Sequence, residues 1–243
     1  MITLRLQTIL LPRCSIQCGS SHKMNLQRVP LGLSLLLLCL AIPAANAQPA
    51  SDDLSLNAQM LAGARQGDSA LVERALAKGA APDSRNRLGK TVLLMAAEKG
   101  DVALAETMLK AGADVNLAAI NGVTPLMAAA YAGSLPMVQR FLAAGANTGA
   151  EDRLHKTAIV YAAGQGQTAI VEALLNTGID VNAAYEHQLT VLMWAAGQGH
   201  ADLVKRLRAR GARVDARDDR GLTAADMARE AGKAEVVAAL AAP

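Results

Sequence analysis

The stretch TPLMAAA at residues 124–130 decides the fold, because versions of it return at a constant spacing. They are TVLLMAA from residue 91, TAIVYAA from 157, TVLMWAA from 190 and TAADMAR from 223. Each threonine stands 33 residues after the previous one, with no insertion between them. A fixed period of this length indicates a repeat protein, in which one small structural unit stacks on the next.

Glycine and alanine follow the same period as the threonines. A threonine side chain accepts a hydrogen bond from a free backbone N–H at a helix start, and small alanines let neighbouring helices approach closely. Glycine adopts the positive φ that a tight turn after a helix requires. These ladders predict two helices per repeat, and they consist of Gly67, Gly100, Gly133, Gly166, Gly199 and Gly232; Gly79, Gly112, Gly145, Gly178 and Gly211; and Ala96, Ala129, Ala162, Ala195 and Ala228.

The second helix of each repeat carries apolar residues at helical spacing, such as Met137, Val138 and Phe141. A segment such as DVN at residues 114–116 then leads into a short hairpin, the finger, before the next threonine. Hydrophobic residues make up 52% of the chain but aromatic residues only 2%, which suits closely packed thin helices rather than one large core. The sequence therefore predicts an all-α solenoid, in which each unit buries its apolar face against its neighbours.

Two motifs resemble those of the ankyrin-repeat family. TPLMAAA at residues 124–130 is similar to the family's T-P-L-H-x-A-A, and KAGADVN at 110–116 is similar to its K-A-G-A-D-V-N. The resemblance covers roughly residues 55–241 and implies an ankyrin-repeat solenoid of helix-turn-helix units with fingers. It divides the domain, residues 55–243, into an N-terminal capping repeat (55–87), four full repeats (88–120, 121–153, 154–186 and 187–219) and a C-terminal cap (220–243).

The chain also departs from the family's motif. His155 and Gln188 replace the finger glycine, so we expect two wider or differently shaped turns. In the C-terminal cap Asp226 replaces an apolar residue, as expected where no neighbouring repeat covers the helix. The histidine after P-L is absent, so packing must replace any hydrogen bonds that it makes; its places are taken by Leu94, Met127, Val160 and Met193.

The net charge of +3 is a property of the first 47 residues. They hold Arg5, Arg13, Lys23 and Arg28 and no acidic residue. Without them, 20 basic residues stand against 21 acidic ones. The charge is therefore no argument for binding nucleic acid.

Residues 1–47 are interpreted as a leader with Met24 as its natural start, and residues 48–54 as a linker. An apolar run from Leu31 to Ile42 precedes AANA at 44–47, a pattern typical of a signal peptidase site. The run has 12 residues, fewer than the roughly 20 that span a membrane. We therefore expect cleavage after Ala47 and a periplasmic or secreted protein.

All three cysteines, Cys14, Cys18 and Cys39, lie in this leader. A lipoprotein would need a small residue before Cys39, where Leu38 stands, so a lipid anchor is the less favoured alternative. The mature chain would have no cysteine, which excludes disulfides, thiolate nucleophiles and cysteine-based zinc sites. That composition is compatible with an oxidising compartment.

In the ankyrin-repeat family, partners usually bind the concave face formed by finger tips and first helices. The resemblance therefore implies a non-enzymatic module that binds another protein. Tyr161 and Trp194 are one period apart, so we expect them to stack side by side near this face as anchors; the alternative is that they fill space between repeats. The expected partner-binding residues are Arg87, Leu88, Lys90, Lys99, Ile120, Val123, Tyr131, Leu154, Tyr161, Gln165, His187, Leu189, Trp194 and Gln198.

Two other functions are weighed against this one. His155 and His187 stand on successive fingers near carboxylates, so a metal-dependent enzyme is an alternative, although no spacing enforces a shared site. Bacterial ankyrin proteins of this exported layout are sometimes associated with catalases, so an accessory factor in oxidant defence is another; normal peroxide survival of a deletion strain would contradict it. We expect no catalytic residue, metal or cofactor, no nucleic-acid partner, no stable membrane insertion, a monomer, and a scaffold role for His200.

A basic cluster follows the fourth full repeat's first helix. It has two explanations: an anionic partner or membrane surface, or a solvated outer helix in which Asp202 and Arg206 pair at i, i+4. The second is favoured, because several aspartates stand close by. The cluster comprises Lys205, Arg206, Arg208, Arg210, Arg213, Arg217 and Arg220.

Overall fold

The computed structural model describes residues 55–241. The predicted leader, the linker and the last two residues of the C-terminal cap lie outside the described residues. Within them the chain forms twelve α-helices and one 3₁₀ turn, with no β-strand. None of the described helices is long and apolar enough to span a membrane.

The helices come in pairs. The pairs are α1 (Leu56–Gln66) and α2 (Ser69–Ala77), α3 (Val92–Lys99) and α4 (Val102–Lys110), α5 (Pro125–Ala132) and α6 (Leu135–Ala143), α7 (Ala158–Gly164) and α8 (Thr168–Leu175), α9 (Val191–Gln198) and α10 (Ala201–Ala209), and α11 (Ala224–Glu230) and α12 (Ala234–Ala241). The 3₁₀ turn, Glu186–Gln188, lies in the fourth finger.

The odd-numbered helices form one layer, called the inner layer, and the even-numbered helices form a second, called the outer layer. From α1 to α11, each odd-numbered helix packs against the next one, and from α4 to α12 the even-numbered helices do the same. Each helix also packs against the other member of its pair. The predicted all-α repeat solenoid is confirmed.

Side chains facing the layer boundary are fully buried, and the ladder alanines are among them. Ala96, Ala129 and Ala162 have no exposed surface, and neither have the larger Met108 and Phe141 of the outer layer. Because protein interiors are close-packed, a larger residue at an alanine position would push two inner helices apart.

The predicted threonine caps form at four of the five positions. The Thr91, Thr124, Thr190 and Thr223 hydroxyls each accept a hydrogen bond from the backbone N–H three residues later. At Thr157 the side chain makes no cap hydrogen bond. These caps satisfy backbone donors that a helix start otherwise leaves free.

Two of the four residues that replace the family's histidine support the caps as well as the core. The Met127 sulfur accepts a hydrogen bond from the Thr124 backbone N–H at 3.4 Å, and Met193 does the same for Thr190 at 3.5 Å. Both methionines are buried. The sulfur thus takes the place that a carboxylate or amide has in a capping box.

Asp226 has a more specific role than the one expected from its exposure. Its carboxylate accepts hydrogen bonds from the Thr223 backbone N–H at 3.0 Å and the Thr223 hydroxyl at 2.7 Å. Arg229 pairs with the same carboxylate at 2.6 Å. Bonding to Thr223 lowers the pKa of Asp226 below its ordinary value. Asp226 therefore completes the cap at the start of α11, in addition to being a residue that tolerates solvent.

The fingers are joined by single backbone hydrogen bonds. The Ile120 N–H donates to the Leu88 carbonyl, and the Arg153 N–H donates to the Asn121 carbonyl, both at 3.0 Å. The last two fingers are joined by a bond of 3.1 Å from Asp219. Between the third and fourth fingers, the equivalent bond would run from the Glu186 N–H to the Leu154 carbonyl. It is absent among the described residues.

The two fingers without glycine differ from each other. His155 adopts a left-handed φ of 51°, and its finger keeps the turn hydrogen bond from the His155 N–H to the Asp152 carbonyl. The fourth finger has two successive left-handed residues, His187 and Gln188, and forms the 3₁₀ turn. The expected change in turn shape is therefore present in the finger of Gln188. In the finger of His155 the turn is kept, and His155 adopts the left-handed conformation that the finger glycines have.

Gly122 shows how a finger glycine allows close contact with the next finger. A Cβ atom at this position would lie 2.8 Å from the Cα atom of Asp152 in the next finger. One repeat later the same position is His155, and there the backbone bond to the next finger is the missing one. Gly122 therefore allows the close contact between the second and third fingers, and at His155 the contact with the next finger is lost. Gln188 also replaces a finger glycine, but its finger keeps the bond to the last one.

We predict that Gly122→Ala lowers the free energy of unfolding more than Gly145→Ala. Both glycines are left-handed, with φ of 84° and 82°, so both changes carry a backbone cost of roughly 1–2 kcal/mol. No atom lies within 4 Å of a Cβ at Gly145, whereas Gly122→Ala adds a clash worth about 1–3 kcal/mol. Urea unfolding measures the difference, and equal losses would contradict the finger-to-finger contact.

Candidate functional site

The finger tips and the exposed side of the odd-numbered helices line three clefts, which together are called the groove. The first cleft, of about 380 Å³, lies between α3, α5 and α7. The second, of about 240 Å³, lies between the third and fourth fingers. The third, of about 400 Å³, lies between α9 and α11.

The first cleft is mostly apolar. Val123 and Met127 form its floor, and Tyr131 and Tyr161 stand beside it. The two rings are perpendicular, with centroids 6.0 Å apart, an arrangement that aromatic pairs prefer. Tyr131 remains 56% exposed, so one of its faces is open to a partner.

The rings of Tyr161 and Trp194 are arranged differently from the stacked pair that the sequence predicts. The ammonium of Lys156 lies 4.9 Å from the centroid of the Trp194 ring and 5.9 Å from that of Tyr161. The Lys156 cation therefore interacts with the faces of both rings. The ring in direct contact with Tyr161 is that of Tyr131. The prediction of direct stacking is wrong, because a lysine from the finger reaches both rings.

Asp152 holds the third finger and Tyr161 in place. One of its carboxylate oxygens accepts hydrogen bonds from the backbone N–H groups of Leu154 and Lys156, at 2.8 and 2.9 Å. The other accepts the Tyr161 hydroxyl at 2.5 Å. Burial raises the pKa of Tyr161 well above its ordinary value, and the bond to the Asp152 carboxylate raises it further.

The second cleft opens where the backbone bond between fingers is missing. Leu154 and Leu189 line it together with His155 and His187. Each histidine faces a carboxylate rather than the other histidine: His155 contacts Glu151 at 3.0 Å, and His187 contacts the last finger. The bond to Glu151 raises the pKa of His155.

This arrangement bears on the alternative of a metal-dependent enzyme. Within residues 55–241, no group of three or more histidine, cysteine and acidic side chains is placed to hold a metal ion. A zinc site needs at least three such protein ligands converging on one point. The described geometry therefore offers no support for a metal shared by His155 and His187.

The third cleft extends the groove toward the C-terminal cap. Leu189 and Trp194 line its near side, and Gln198 lines it from the end of α9. Its far side is formed by Met227 and Arg220. Trp194 and Leu189 border both the second and third clefts and so connect them.

Four of the five large apolar side chains that are exposed in the described chain lie along this face. Leu88, Ile120 and Leu154 are finger residues, at 62%, 56% and 60% exposure, and Tyr131 is the fourth. Leu88 and Ile120 lie on the fingers but line none of the three clefts. Val214 is the fifth, and it lies in the segment after α10, away from the finger tips and the odd-numbered helices. Apolar surface concentrated on one side of a repeat protein is typical of an interaction face.

Some predicted site residues are engaged within the chain instead. The Lys99 ammonium donates to the backbone carbonyls of Ala64 and Arg65, at 2.7 and 2.6 Å, and so caps the end of α1. Lys90 is paired with Glu98 at 2.7 Å. Lys99 therefore links its repeat to the preceding one. Lys90 is neutralised by Glu98, and of this pair only Glu98 lines the first cleft.

Three further predicted residues are described by their exposure and by whether they line a cleft. Arg87, Gln165 and His187 are exposed, and none of the clefts includes Arg87 or Gln165. Gln165 ends α7, at the far end of that helix from the finger. The structure thus brings Val123, Tyr131, Leu154, Tyr161, His187, Leu189, Trp194 and Gln198 to the clefts.

The structure adds two residues to the predicted set, Lys156 and Asp152. A signal for Asp152 exists in the sequence, since Asn86 and Asp218 stand two periods before and after it. All three accept backbone hydrogen bonds within their own finger turn. The signal for Lys156 is its register with Lys90, but the two rings beside it come from other parts of the chain.

His200 has the predicted scaffold role. Its Nε2 donates a hydrogen bond to the carbonyl of Gly164, at 2.9 Å, which joins two repeats. A Cβ atom on Gly166 would lie 2.5 Å from its Nδ1. The ladder glycine thus makes room for the side chain of the following repeat.

The basic cluster is largely compensated within the chain. Asp202 pairs with Lys205 at 3.4 Å, one residue earlier than the predicted partner Arg206. Arg208 donates to the carbonyl of Ala239 at 2.6 Å near the end of α12. This favours the solvated outer helix over an anionic partner, as do three further pairs: Arg210 with Glu172, Arg213 with Asp215, and Arg220 with Asp218.

Comparison with protein families supports the repeat assignment. A model described as ankyrin repeats (3 copies) matches three overlapping parts of the chain, residues 59–152, 93–185 and 126–218. Together these matches cover most of the described helices. A comparison with curated proteins found no match.

We predict that Asp152→Asn keeps the third finger folded but lowers the pKa of Tyr161. In the first finger Asn86 already makes the equivalent bonds to the N–H groups of Leu88 and Lys90, so an asparagine fits the turn. The substitution removes the carboxylate that stabilises the protonated phenol of Tyr161, whereas the burial of the ring continues to raise its pKa. Titration of the Tyr161 ring by NMR measures the change.

Asp152→Ala is the control for this experiment. It also removes the acceptor for two backbone N–H groups, so we expect a loss of about 1–3 kcal/mol in stability in addition. An unchanged Tyr161 titration in Asp152→Asn would contradict the role assigned to this carboxylate.

Proposed function

This chain belongs to the ankyrin-repeat family, and we propose that it is a non-enzymatic protein that holds a partner protein in its groove. Ankyrin repeats generally mediate interactions between proteins, and domains built from them are typically not enzymes. The groove is this chain's own version of a family binding face, and the partner's identity is a separate question.

The observation that carries the proposal is the position of the exposed apolar side chains. Leu88, Ile120, Leu154 and Tyr131 together provide apolar surface along one face. Exposed side chains of this size lose contact with water when a partner covers them. The binding free energy gains roughly 25 cal/mol for each Å² of apolar surface that is buried. The clefts between them would receive the partner's side chains, and aromatic residues are favoured anchors in such contacts.

The finger and helix residues also differ in rigidity. Neighbouring finger tips are joined by one backbone bond, except the third and fourth, while the inner helices are fixed by the buried ladder. A binding surface on rigid elements loses little entropy when a partner binds. This favours a surface that is largely formed before the partner arrives.

The proposal includes export, since the leader carries a signal-peptide pattern. We predict that alkaline phosphatase fused after residue 54 is active in a bacterial host, because this enzyme requires the oxidising periplasm to form its disulfides. N-terminal sequencing of the exported product should begin at Gln48. An inactive fusion retained in the cytoplasm would contradict export.

We predict that the double substitution Tyr131→Ala and Leu154→Ala abolishes capture of the partner from periplasmic extract. Both side chains are exposed, so the fold should be unaffected, and circular dichroism checks this. Each buried anchor contributes on the order of 1–2 kcal/mol to binding, so the pair should weaken it by about 100-fold.

Val214→Ala is the matched control, because Val214 is an exposed apolar residue outside the groove. Capture should be unchanged by this substitution. Undiminished capture by the double variant would contradict binding in the groove.

A further inference from the structure

Lys156 occupies a central place in the groove. It lines the second cleft, and its ammonium lies beside Trp194, which connects the second cleft to the third, and Tyr161, which borders the first. Resting on the proposed function, we propose that this ammonium binds the carboxylate of an acidic side chain in the middle of an apolar segment of the partner protein.

The contrast with Lys90 is the first argument. Lys90 and Lys156 occupy the same position in fingers two repeats apart. The Lys90 ammonium donates to both carboxylate oxygens of Glu98, at 2.7 and 3.0 Å. Two periods after Glu98 the chain has Gly164, and within the described part of the chain no carboxylate forms an ion pair with Lys156. One lysine is neutralised internally, and the other is not.

The environment of Lys156 is the second argument. The residue is half-buried, and its ammonium rests against the two aromatic faces at 4.9 and 5.9 Å. The rings stabilise the charge and hold it in one place, but they leave hydrogen-bond donors of the ammonium free. A carboxylate that approaches from the partner would accept those donors, in the charge-assisted bond that is stronger than a neutral one.

Nearby acidic groups do not already supply this carboxylate. Asp152 is buried, and its oxygens are occupied by the Tyr161 hydroxyl and two backbone N–H groups. Glu186, across the second cleft, lies 3.7 Å from the imidazole of His187. Both carboxylates therefore have partners of their own, and the position in front of Lys156 is open to a ligand.

The surroundings indicate a side-chain carboxylate within a segment rather than a chain end. On one side of Lys156 the groove continues past Tyr161 to Val123 and Met127. On the other side it continues past Trp194 to Leu189 and Met193. A peptide whose acidic residue meets Lys156 would therefore find apolar contacts in both directions, which a terminal carboxylate could not use.

A peptide-display experiment tests this inference. Random linear peptides displayed on phage are selected on the purified protein, and a leading groove-binding peptide is compared with its Asp→Asn or Glu→Gln version by calorimetry. We predict that the acidic peptide binds at least about tenfold more tightly, as expected for one bond to a charged group. Lys156→Met should remove this preference, and Lys156→Arg should keep it.

The control variant is Lys110→Met. Lys110 is an exposed lysine at the end of the outer helix α4, so its substitution changes the net charge equally and should leave the preference intact. Thermal unfolding of each variant checks that the fold is retained.

The outcomes separate the inference from the proposed function. Peptides that lose binding in the Tyr131→Ala and Leu154→Ala variant but bind equally well as acid and amide would overturn the role of Lys156 alone. A selection that returns only peptides insensitive to that double substitution, or no peptide at all, would contradict groove binding and the inference together.

Discussion

The packing of small residues between neighbouring inner helices is the constraint on which the rest of the structure depends. Ala96, Ala129, Ala162, Ala195 and Ala228 stand one period apart and have no exposed surface. Each repeat buries its apolar face only against its neighbours, so an interface between repeats, and not a single central core, stabilises the chain. The same close approach brings successive fingers, except the third and fourth, to hydrogen-bonding distance and aligns the inner helices into one face.

The fold was predictable because its determinants are periodic. A threonine that caps a helix or a glycine that ends one acts on its own backbone, and 33-residue spacing repeats that local effect along the chain. Thr157 is an exception that spacing alone could not reveal, since its hydroxyl makes no cap bond although its position in the ladder is regular.

The site was predictable only in part. Its location follows from the repeat geometry, and eight of the fourteen expected residues line the clefts. The contacts that each long side chain makes do not follow from periodicity. Lys90 pairs with Glu98, Lys99 bonds to the end of α1, and Lys156 lies against two rings. Each contact depends on the surrounding residues, which differ from one period to the next.

The departures from the repeat pattern are concentrated where function is proposed. His155 stands where two preceding fingers have glycine, and beside it the bond between fingers is missing and the second cleft opens. Lys156, the next residue, lacks the carboxylate that its counterpart Lys90 has. Regular positions build the scaffold, and the irregular ones between the third and fourth fingers shape the binding surface that we propose for this chain.

The central claim is that a partner protein occupies the groove, and photo-crosslinking in living cells tests it most directly. A photoreactive amino acid is placed at Tyr131 in the groove or at Val214 outside it, and the products are separated by mass. The account predicts a discrete crosslinked protein from position 131 and none from position 214. A crosslink from position 214 with none from position 131 would contradict it.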